Sequence, residues 1–165
     1  MTNMAFQKDV GAYLTVAAGL SPNALTTASG AQTGTGIDRT AYYAPPASCK
    51  VIVNGRATVA ATKQVTFNLA LQHGDTTTAY TEIADKDGNT STGSSHKLTV
   101  GTTSSTATQT NVSGVRTFDY TLTNAKKYIR VVLTPAWTGL STAVTEAAAA
   151  SVSIVFGGNY ILPPA

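Results

Sequence analysis

The chain has 165 residues, of which 42% are hydrophobic and only 12% are charged, and its formal net charge is +3. This length suits one domain, and the charged fraction is about half of the roughly 25% that is typical of globular proteins. The basic residues are scattered, without the stripe of a nucleic-acid-binding surface, so we expect no nucleic-acid partner. No apolar run approaches the roughly 18 residues of a membrane span, so we expect no membrane partner. Residues 1–10 lack an apolar core behind a basic start, which predicts no signal peptide and synthesis in a cytoplasm.

The first 35 residues give a mixed pattern. Residues 12–20, AYLTVAAGL, predict a first strand or a short helix, and the small polar residues of 21–36 predict a loop or an extended arm. We therefore expect an N-terminal strand or arm with a loop over 1–35, a sandwich core over 36–157 and a C-terminal tail over 158–165.

Two turn signals divide the next stretch of the sequence. The double proline at 45–46 separates a short strand near 37–43 from one near 50–54, because proline cannot donate to a strand ladder. The dipeptide Asn54-Gly55 predicts a type I′ hairpin turn, since both positions of that turn need positive φ. Residues 56–62 would then form the returning strand.

Alternation of apolar and polar residues predicts the later strands. It is clearest where Val65, Phe67, Leu69 and Leu71 share one side, which indicates a half-buried strand. Further short strands are predicted, with polar turns between them, over 78–85, 95–101, 115–123, 126–135 and 151–158.

Several signals mark the breaks between these strands. Asp87-Gly88 predicts a turn, residues 102–114 predict a polar loop, and Pro135 is expected to end its strand. Only 141–150, STAVTEAAAA, favours a helix, because alanine has the highest helix propensity. The total is about eight short strands with regular turn signals, which is typical of an antiparallel sandwich or barrel.

The sequence holds few groups for catalysis or zinc binding. Its histidines, His73 and His96, fall in a predicted turn and at a strand start, where we expect them at the surface. Cys49 is the single cysteine, so no disulfide can form within the chain, and it is expected to pack as a small buried hydrophobe. A zinc site needs three or four such ligands at workable spacing, which this sequence does not offer.

The segment 85–91, DKDGNTS, places Asp85, Asp87 and Asn89 at alternating positions, as calcium loops do. Gly88 comes too early for an EF-hand loop and the closing glutamate is missing, so the pattern favours a hairpin turn. No pair of opposed carboxylates and no nucleophile–base pattern stands out. We therefore expect no enzymatic activity, no cofactor and no metal.

The C-terminal third of the chain contains the segments KKYIRVVLTPAWTG and AAAASVSIVFGGNYILPPA. These segments resemble the end of small head proteins of tailed bacteriophages. In that group, a strand of the type RVV-x-TP is followed by small residues and by an apolar strand that ends in two glycines and a proline-containing tail. The segment YYAPPASCKVIVNG also resembles the group, and the resemblance covers residues 37–165.

This resemblance implies a capsid decoration, or cement, protein without an active site. Such proteins are often jelly-roll-like β-sandwiches on the outer surface of the virion, where they bridge subunits of the major capsid protein and often associate as dimers or trimers. We therefore expect an all-β, single antiparallel sandwich of about eight strands, jelly-roll-like, with extended N- and C-terminal arms. The choice between a true jelly roll and another Greek key stays open, as does the oligomeric state.

The chain ends carry large apolar residues that are suited to partner binding. Gly157-Gly158 frees the backbone after the last predicted strand, and little sequence remains to cover the tail. An extended arm can add a strand to a partner's sheet edge and insert alternate side chains into pockets. Packing of the tail against the end of its own sandwich is the alternative. The candidate partner-binding residues are Phe6, Trp137, Tyr160, Ile161, Leu162 and Pro163.

A carbohydrate- or receptor-binding β-sandwich of a phage tail or fibre is the second functional hypothesis. It requires an exposed aromatic platform, which Trp137 would supply together with Tyr42 and Tyr43. Trp137 also fits a packing position beside the turn predicted at Pro135, and the sequence leaves both roles open.

Overall fold

Ten β-strands and one 3₁₀ turn, at Arg39–Ala41, make up the regular structure of the described residues. In this computed structural model the described residues are 14–26, 29–41, 45–91, 96–101, 110–139 and 146–157. The strands are β1 (Thr15–Thr26), β2 (Gln32–Thr33), β3 (Ile37–Asp38), β4 (Ser48–Val59), β5 (Gln64–Gly74), β6 (Thr81–Ile83), β7 (Lys97–Gly101), β8 (Thr110–Thr121), β9 (Tyr128–Thr138) and β10 (Ala147–Gly157).

The strands pair antiparallel in two sheets. Sheet A has the order β1-β10-β4-β8. In sheet B, β9 lies beside β5. Strands β2 and β3 pair with the other side of β9, and strands β6 and β7 pair with the other side of β5. When β2 with β3 and β6 with β7 are each counted as one broken strand, two four-stranded sheets result, in the order of a jelly roll. The predicted all-β, jelly-roll-like sandwich is therefore confirmed. Within the N-terminal strand or arm and loop predicted over 1–35, β1 and β2 are strands of the sandwich. Residues 1–13 and the tail predicted over 158–165 lie outside the described part.

The inner faces of both sheets contribute to one hydrophobic core. The predicted alternation in β5 is confirmed, because Val65, Phe67, Leu69 and Leu71 are fully buried. Cys49 is buried in the same core, as expected of a small hydrophobe. Burial raises the pKa of its thiol to about 12, so the thiolate is not formed near neutral pH.

The predicted hairpin at Asn54-Gly55 is wrong, because β4 runs through both residues without a turn. Gly55 lies in the middle of sheet A, between Ala150 of β10 and Gly114 of β8. A Cβ atom at Gly55 would lie 2.6 Å from the ring of Phe67. Glycine is needed here for close packing of the two sheets, rather than for the positive φ of a turn.

Two further predictions about strand ends are wrong. Pro135 does not end β9, which continues to Thr138. Beyond Leu133 no described strand pairs with the outer side of β9, and proline is tolerated at such an edge. The helix predicted from its alanines is also wrong for Ala147–Ala150, which form the start of β10 between β1 and β4; residues 141–145 lie outside the described part. Tertiary pairing overrides the weak helix propensity of alanine there.

The polar stretches are more regular than their composition indicates. Residues 21–26, predicted as loop or arm, complete β1, and residues 110–114 belong to β8 rather than to a loop. The strand predicted near 37–43 is limited to β3, which the 3₁₀ turn follows. The turn at Asp87-Gly88 is confirmed, with Gly88 at a φ of 81°.

Candidate functional site

The outward-pointing residues of sheet A form a broad surface, here called face A. Its members follow from the alternating burial of the strands and from their register. They are the even-numbered residues 50–58 of β4, the odd-numbered residues 111–119 of β8, the odd-numbered residues 147–155 of β10, and Val16, Ala18, Ala24 and Thr26 of β1. Most of these side chains are small or carry a hydroxyl group, so another backbone can approach the sheet closely.

Charge is scarce on face A. Lys50 and Asp119 face each other across β4 and β8, and their Nζ and Oδ1 atoms are 2.8 Å apart. Arg56 is exposed, and no carboxylate of the described residues lies within salt-bridge distance of it. A surface of this kind can be buried against a partner with little desolvation of charge, which is typical of the centre of protein interfaces.

A shallow trough runs along the middle of face A. One part of it, of about 580 Å³, is lined by residues that include Ala24, Arg56, Ser113 and Ala149. A second part, of about 570 Å³, shares Arg56, Ser113 and Ala149 and extends to Val115. Ala24, Ala149, Arg56 and Ser113 are neighbours in one row across the four strands. The small side chains on both sides of Arg56 make the surface concave.

Apolar side chains are exposed near both edges of sheet A. Val16 on β1 is 66% exposed and Val115 on β8 is 65% exposed. Ile52 and Val155 lie between them on face A and are half-buried. Burying a valine side chain fully contributes on the order of 1.5 kcal/mol, so these residues would favour docking.

The outward-pointing residues of sheet B form face B, which differs from face A because its longer side chains bind one another. Arg130 Nε donates a hydrogen bond to Gln72 Oε1 over 2.9 Å, and its guanidinium lies 3.8 Å from the ring centre of Tyr80. The hydroxyl groups of Thr66 and Thr99 are 3.0 Å apart. Arg130, Thr66 and Thr99 of face B therefore have their polar groups bound within the chain.

His96 is not at the surface, which corrects the prediction for that residue. It is 1% exposed and stacks on Phe118 with ring centres 5.4 Å apart. Its Nε2 atom lies 3.4 Å from Oδ2 of Asp85. Asp85 Oδ1 accepts hydrogen bonds from the backbone N–H groups of Asp87 and Asn89. Burial raises the pKa of the Asp85 carboxyl, but the hydrogen bonds from Asn89 and Asp87 and the nearby His96 lower it by more. The carboxylate therefore stabilises a turn, as predicted, but the turn does not close a hairpin, because β6 and β7 on either side of it both pair with β5.

His73 lies at the end of β5, next to the loop before β9. It is partly buried, and its Nδ1 atom accepts a hydrogen bond from the backbone N–H of Lys126 over 3.2 Å. Burial lowers the pKa of the imidazole, and the charge of Lys126 lowers it further. This histidine therefore supports the end of sheet B in its neutral form.

Arg39 is a buried cation that the sequence pattern does not single out. It is 5% exposed, and its guanidinium donates hydrogen bonds to the carbonyl oxygens of Pro46 over 2.7 Å and Leu122 over 2.8 Å. It also donates to the carbonyl oxygens of Ala125 and Lys126. Burial lowers its pKa. Arg39 joins two loops at one end of the sandwich and is a structural residue.

The predicted partner-binding residues fall mostly outside the described part of the chain. Phe6 and the tail residues Tyr160, Ile161, Leu162 and Pro163 lie outside it, as do Tyr42 and Tyr43 of the proposed aromatic platform. Trp137 is described: it lies at the end of β9, half-buried, and packs against the core. The partner-binding role of all six candidates stays a prediction.

Comparisons with known proteins supply no family for this chain. No protein-family model matches it, and no curated protein matches its sequence. Among solved structures, it is similar to the N-terminal CBM22-1 and GH10 modules of the Clostridium thermocellum endo-1,4-β-D-xylanase 10B, crystallised with xylohexaose. The identity is 12% and the TM-score 0.32, and the alignment covers 92% of this chain and 27% of the xylanase chain.

The described residues offer neither a cluster of metal ligands nor a membrane-spanning helix. They contain no group of three or more His, Cys, Asp or Glu side chains that could hold a metal ion. They also contain no helix long and apolar enough to cross a membrane.

Proposed function

We propose that this protein is a non-enzymatic structural component of a bacteriophage virion, where it decorates the outer surface of the capsid. In this role it bridges subunits of the major capsid protein and thereby strengthens the shell. The observation that carries the proposal is face A, a surface four strands wide with little charge and with Val16 and Val115 exposed near its edges. The resemblance of residues 37–165 to small phage head proteins supports the choice of partner.

The size of face A agrees with a docking role. Four strands about 4.8 Å apart, with residues that each rise about 3.3 Å along stretches such as 50–58, give a surface of roughly 600 Å². A specific interface buries about 800 Å² on each partner. Face A would supply most of this area, and the apolar chain ends would supply the rest as extended arms.

Many weak contacts suffice for a decoration protein. The shell presents many equivalent sites, and two contacts made by one molecule reinforce each other through their effective concentration. Self-association as a dimer or a trimer on the capsid would add contacts of the same kind. Docking through face A and anchoring through the tail therefore need only modest affinity each.

The alternative function, a carbohydrate- or receptor-binding module of a phage tail or fibre, has less support. Face A and its trough carry no aromatic side chain among the described residues, and Trp137 packs against the core instead of standing on that face. A glycan usually stacks on exposed aromatic rings, which a trough lined by alanine and serine does not provide.

Binding to undecorated phage heads tests the proposal. The full-length protein is mixed with heads that lack it, and the bound fraction is measured by co-sedimentation. We expect saturable binding of the full-length protein and clearly weaker binding of a protein truncated after Gly157, which lacks the apolar tail. Decorated heads should also release their DNA at a higher temperature than bare heads.

The outcomes separate the alternatives. Equal binding of the full-length and truncated proteins would show that the tail is not an anchor, while the docking role of face A would stand. Failure to bind heads, together with selective signals on a glycan array, would replace capsid decoration by the carbohydrate-binding function.

A further inference from the structure

Among the described residues, Arg56 lacks the carboxylate neighbour that four surface lysines have. Lys50 pairs with Asp119, Lys126 Nζ lies 2.6 Å from Asp75, and Lys127 and Lys86 also have carboxylate neighbours. Arg56 is exposed at the centre of the trough and has no such neighbour among the described residues. An arginine fork without a counter-ion, where the two parts of the trough meet, is available to a partner's anion.

The surroundings of Arg56 allow close approach of a ligand. Its row neighbours on the adjacent strands are Ala149 and Ser113, whose short side chains leave the guanidinium accessible. At one end of the trough, the Thr58 hydroxyl donates a hydrogen bond to Asn111 Oδ1 over 2.6 Å. This contact orients the amide group of Asn111, and no described residue accepts a hydrogen bond from its nitrogen. The trough therefore offers hydrogen-bond donors from Arg56, Asn111 and Ser113.

We propose that the trough binds a carboxylate side chain, Asp or Glu, on an extended segment of the partner protein, with Arg56 as its bidentate partner. This inference rests on the proposed docking role of face A and adds the chemistry of the partner. Arginine presents a planar fork that matches a carboxylate, and the small residues around it let an extended backbone lie along the strands.

Charge complementarity favours an acidic partner over a second copy of this chain. The protein has a formal net charge of +3, and face A carries Lys50 and Arg56 against Asp119. Two copies joined through face A would bring like charges together, with both Arg56 side chains near the centre. An acidic segment instead supplies the missing counter-ion, and like-charge contact discriminates against self-pairing.

A pair of short peptides tests the inference directly. One peptide is an extended Thr- and Val-rich sequence with a single central Glu, and its control has Gln at that position. Each is titrated into the full-length ¹⁵N-labelled protein, and amide signals are followed by NMR, which detects weak binding. We expect shifts at Arg56, Ser113 and Ala149 with the Glu peptide, and affinity at least about tenfold lower with the Gln peptide. Equal responses to the two peptides, or no response, would overturn the inference.

Variants supply the matched controls. Arg56→Gln should reduce the affinity for the Glu peptide about tenfold or more, and Arg56→Lys should lose part of it, because lysine keeps the charge without the fork. Lys97→Gln removes a cation from β7 of sheet B, away from face A, and should leave the peptide affinity unchanged. If Lys97→Gln and Arg56→Gln reduced the affinity equally, the effect would come from net charge alone, which would overturn the inference.

Head binding separates this inference from the proposed function. If Arg56→Gln binds undecorated heads as well as wild type while Val115→Asp does not, face A is the docking face but the carboxylate contact is wrong. If wild type does not bind heads and the Glu peptide still shifts Arg56, capsid decoration is wrong and the anion site stands.

Discussion

Face A and face B lie on opposite sides of one sandwich and are built on strands of similar length, yet their side chains have different surroundings. On face B, Arg130 is held by Gln72 and Tyr80. On face A, Arg56 has alanine and serine beside it and no described counter-ion. Contacts within the chain stabilise the fold, whereas groups without such contacts are available to a partner. We therefore infer a stabilising role for the polar residues of face B, and the docking role proposed for face A rests on this difference.

The largest expected effect comes from disrupting the contact between sheet A and sheet B at Gly34, because both faces depend on the packing of the two sheets. Gly34 packs against Gly19 of β1, and a Cβ atom at Gly34 would overlap the carbonyl oxygen of Gly19. Gly34→Ala should lower the free energy of unfolding by about 3 kcal/mol, because backbone must move to make room. Urea denaturation measures this change. The matched control is Gly30→Ala, since nothing lies within 4 Å of a Cβ atom there. An equal loss of stability in both variants would show that the contact between Gly34 and Gly19 is not what makes Gly34 necessary.

A smaller effect distinguishes the two arginines. Arg130→Ala should lower the free energy of unfolding by about 1 kcal/mol, through loss of a hydrogen bond and of a cation–π contact. Arg56→Ala should change it by less than about 0.5 kcal/mol, as is usual for an exposed residue without partners. Thermal or urea denaturation of the two variants is sufficient. If Arg56→Ala proved the more destabilising, face A would have a structural role that the contacts do not explain.

The smallest effect concerns pH and sharpens the description of sheet B. The pKa of His73 is lowered from 6.5 in the folded protein, so the unfolded chain binds a proton more readily. Its contribution to stability is present above pH 6.5 and is lost as the pH falls through the lower folded-state value. We expect His73→Gln to flatten the dependence of unfolding free energy on pH below about 6.5. If stability depended on pH equally steeply in the variant and in the wild type, protonation of His73 would not weaken its contact with Lys126.

Periodicity in the sequence predicts the buried half of the molecule well. The apolar residues of β5 alternate over a full strand, and alternation requires only that one side of the strand faces a core. The all-β class and the turn at Asp87-Gly88 follow from such local signals, whereas the jelly-roll-like arrangement is expected from the resemblance to phage head proteins. Local signals fail where packing decides, as at Gly55, which has the sequence of a turn but accommodates the ring of Phe67.

Face A could not be predicted from the sequence, because its composition indicates other structures. Ala147–Ala150 carry helix propensity, and residues 21–26 and 110–114 have the composition of loops. Small and polar side chains on one side of a strand are compatible with many structures, and only the pairing of β10 with both β1 and β4 fixes them as a surface. One usable signal was present: the segment AAAASVSIVF alternates small and apolar residues after its first alanines, with every second side chain buried.

The central claim is that face A, and not face B, is the docking surface, and a pair of variants tests it most directly. Val115→Asp places a charge on an exposed position of face A, and Thr134→Asp places the same charge on an exposed position of face B. Both should fold with near wild-type stability, which denaturation confirms beforehand. In co-sedimentation with undecorated heads, we expect Val115→Asp to bind at least about tenfold more weakly than wild type and Thr134→Asp to bind normally. Normal binding of Val115→Asp, or equal losses in both variants, would contradict the claim.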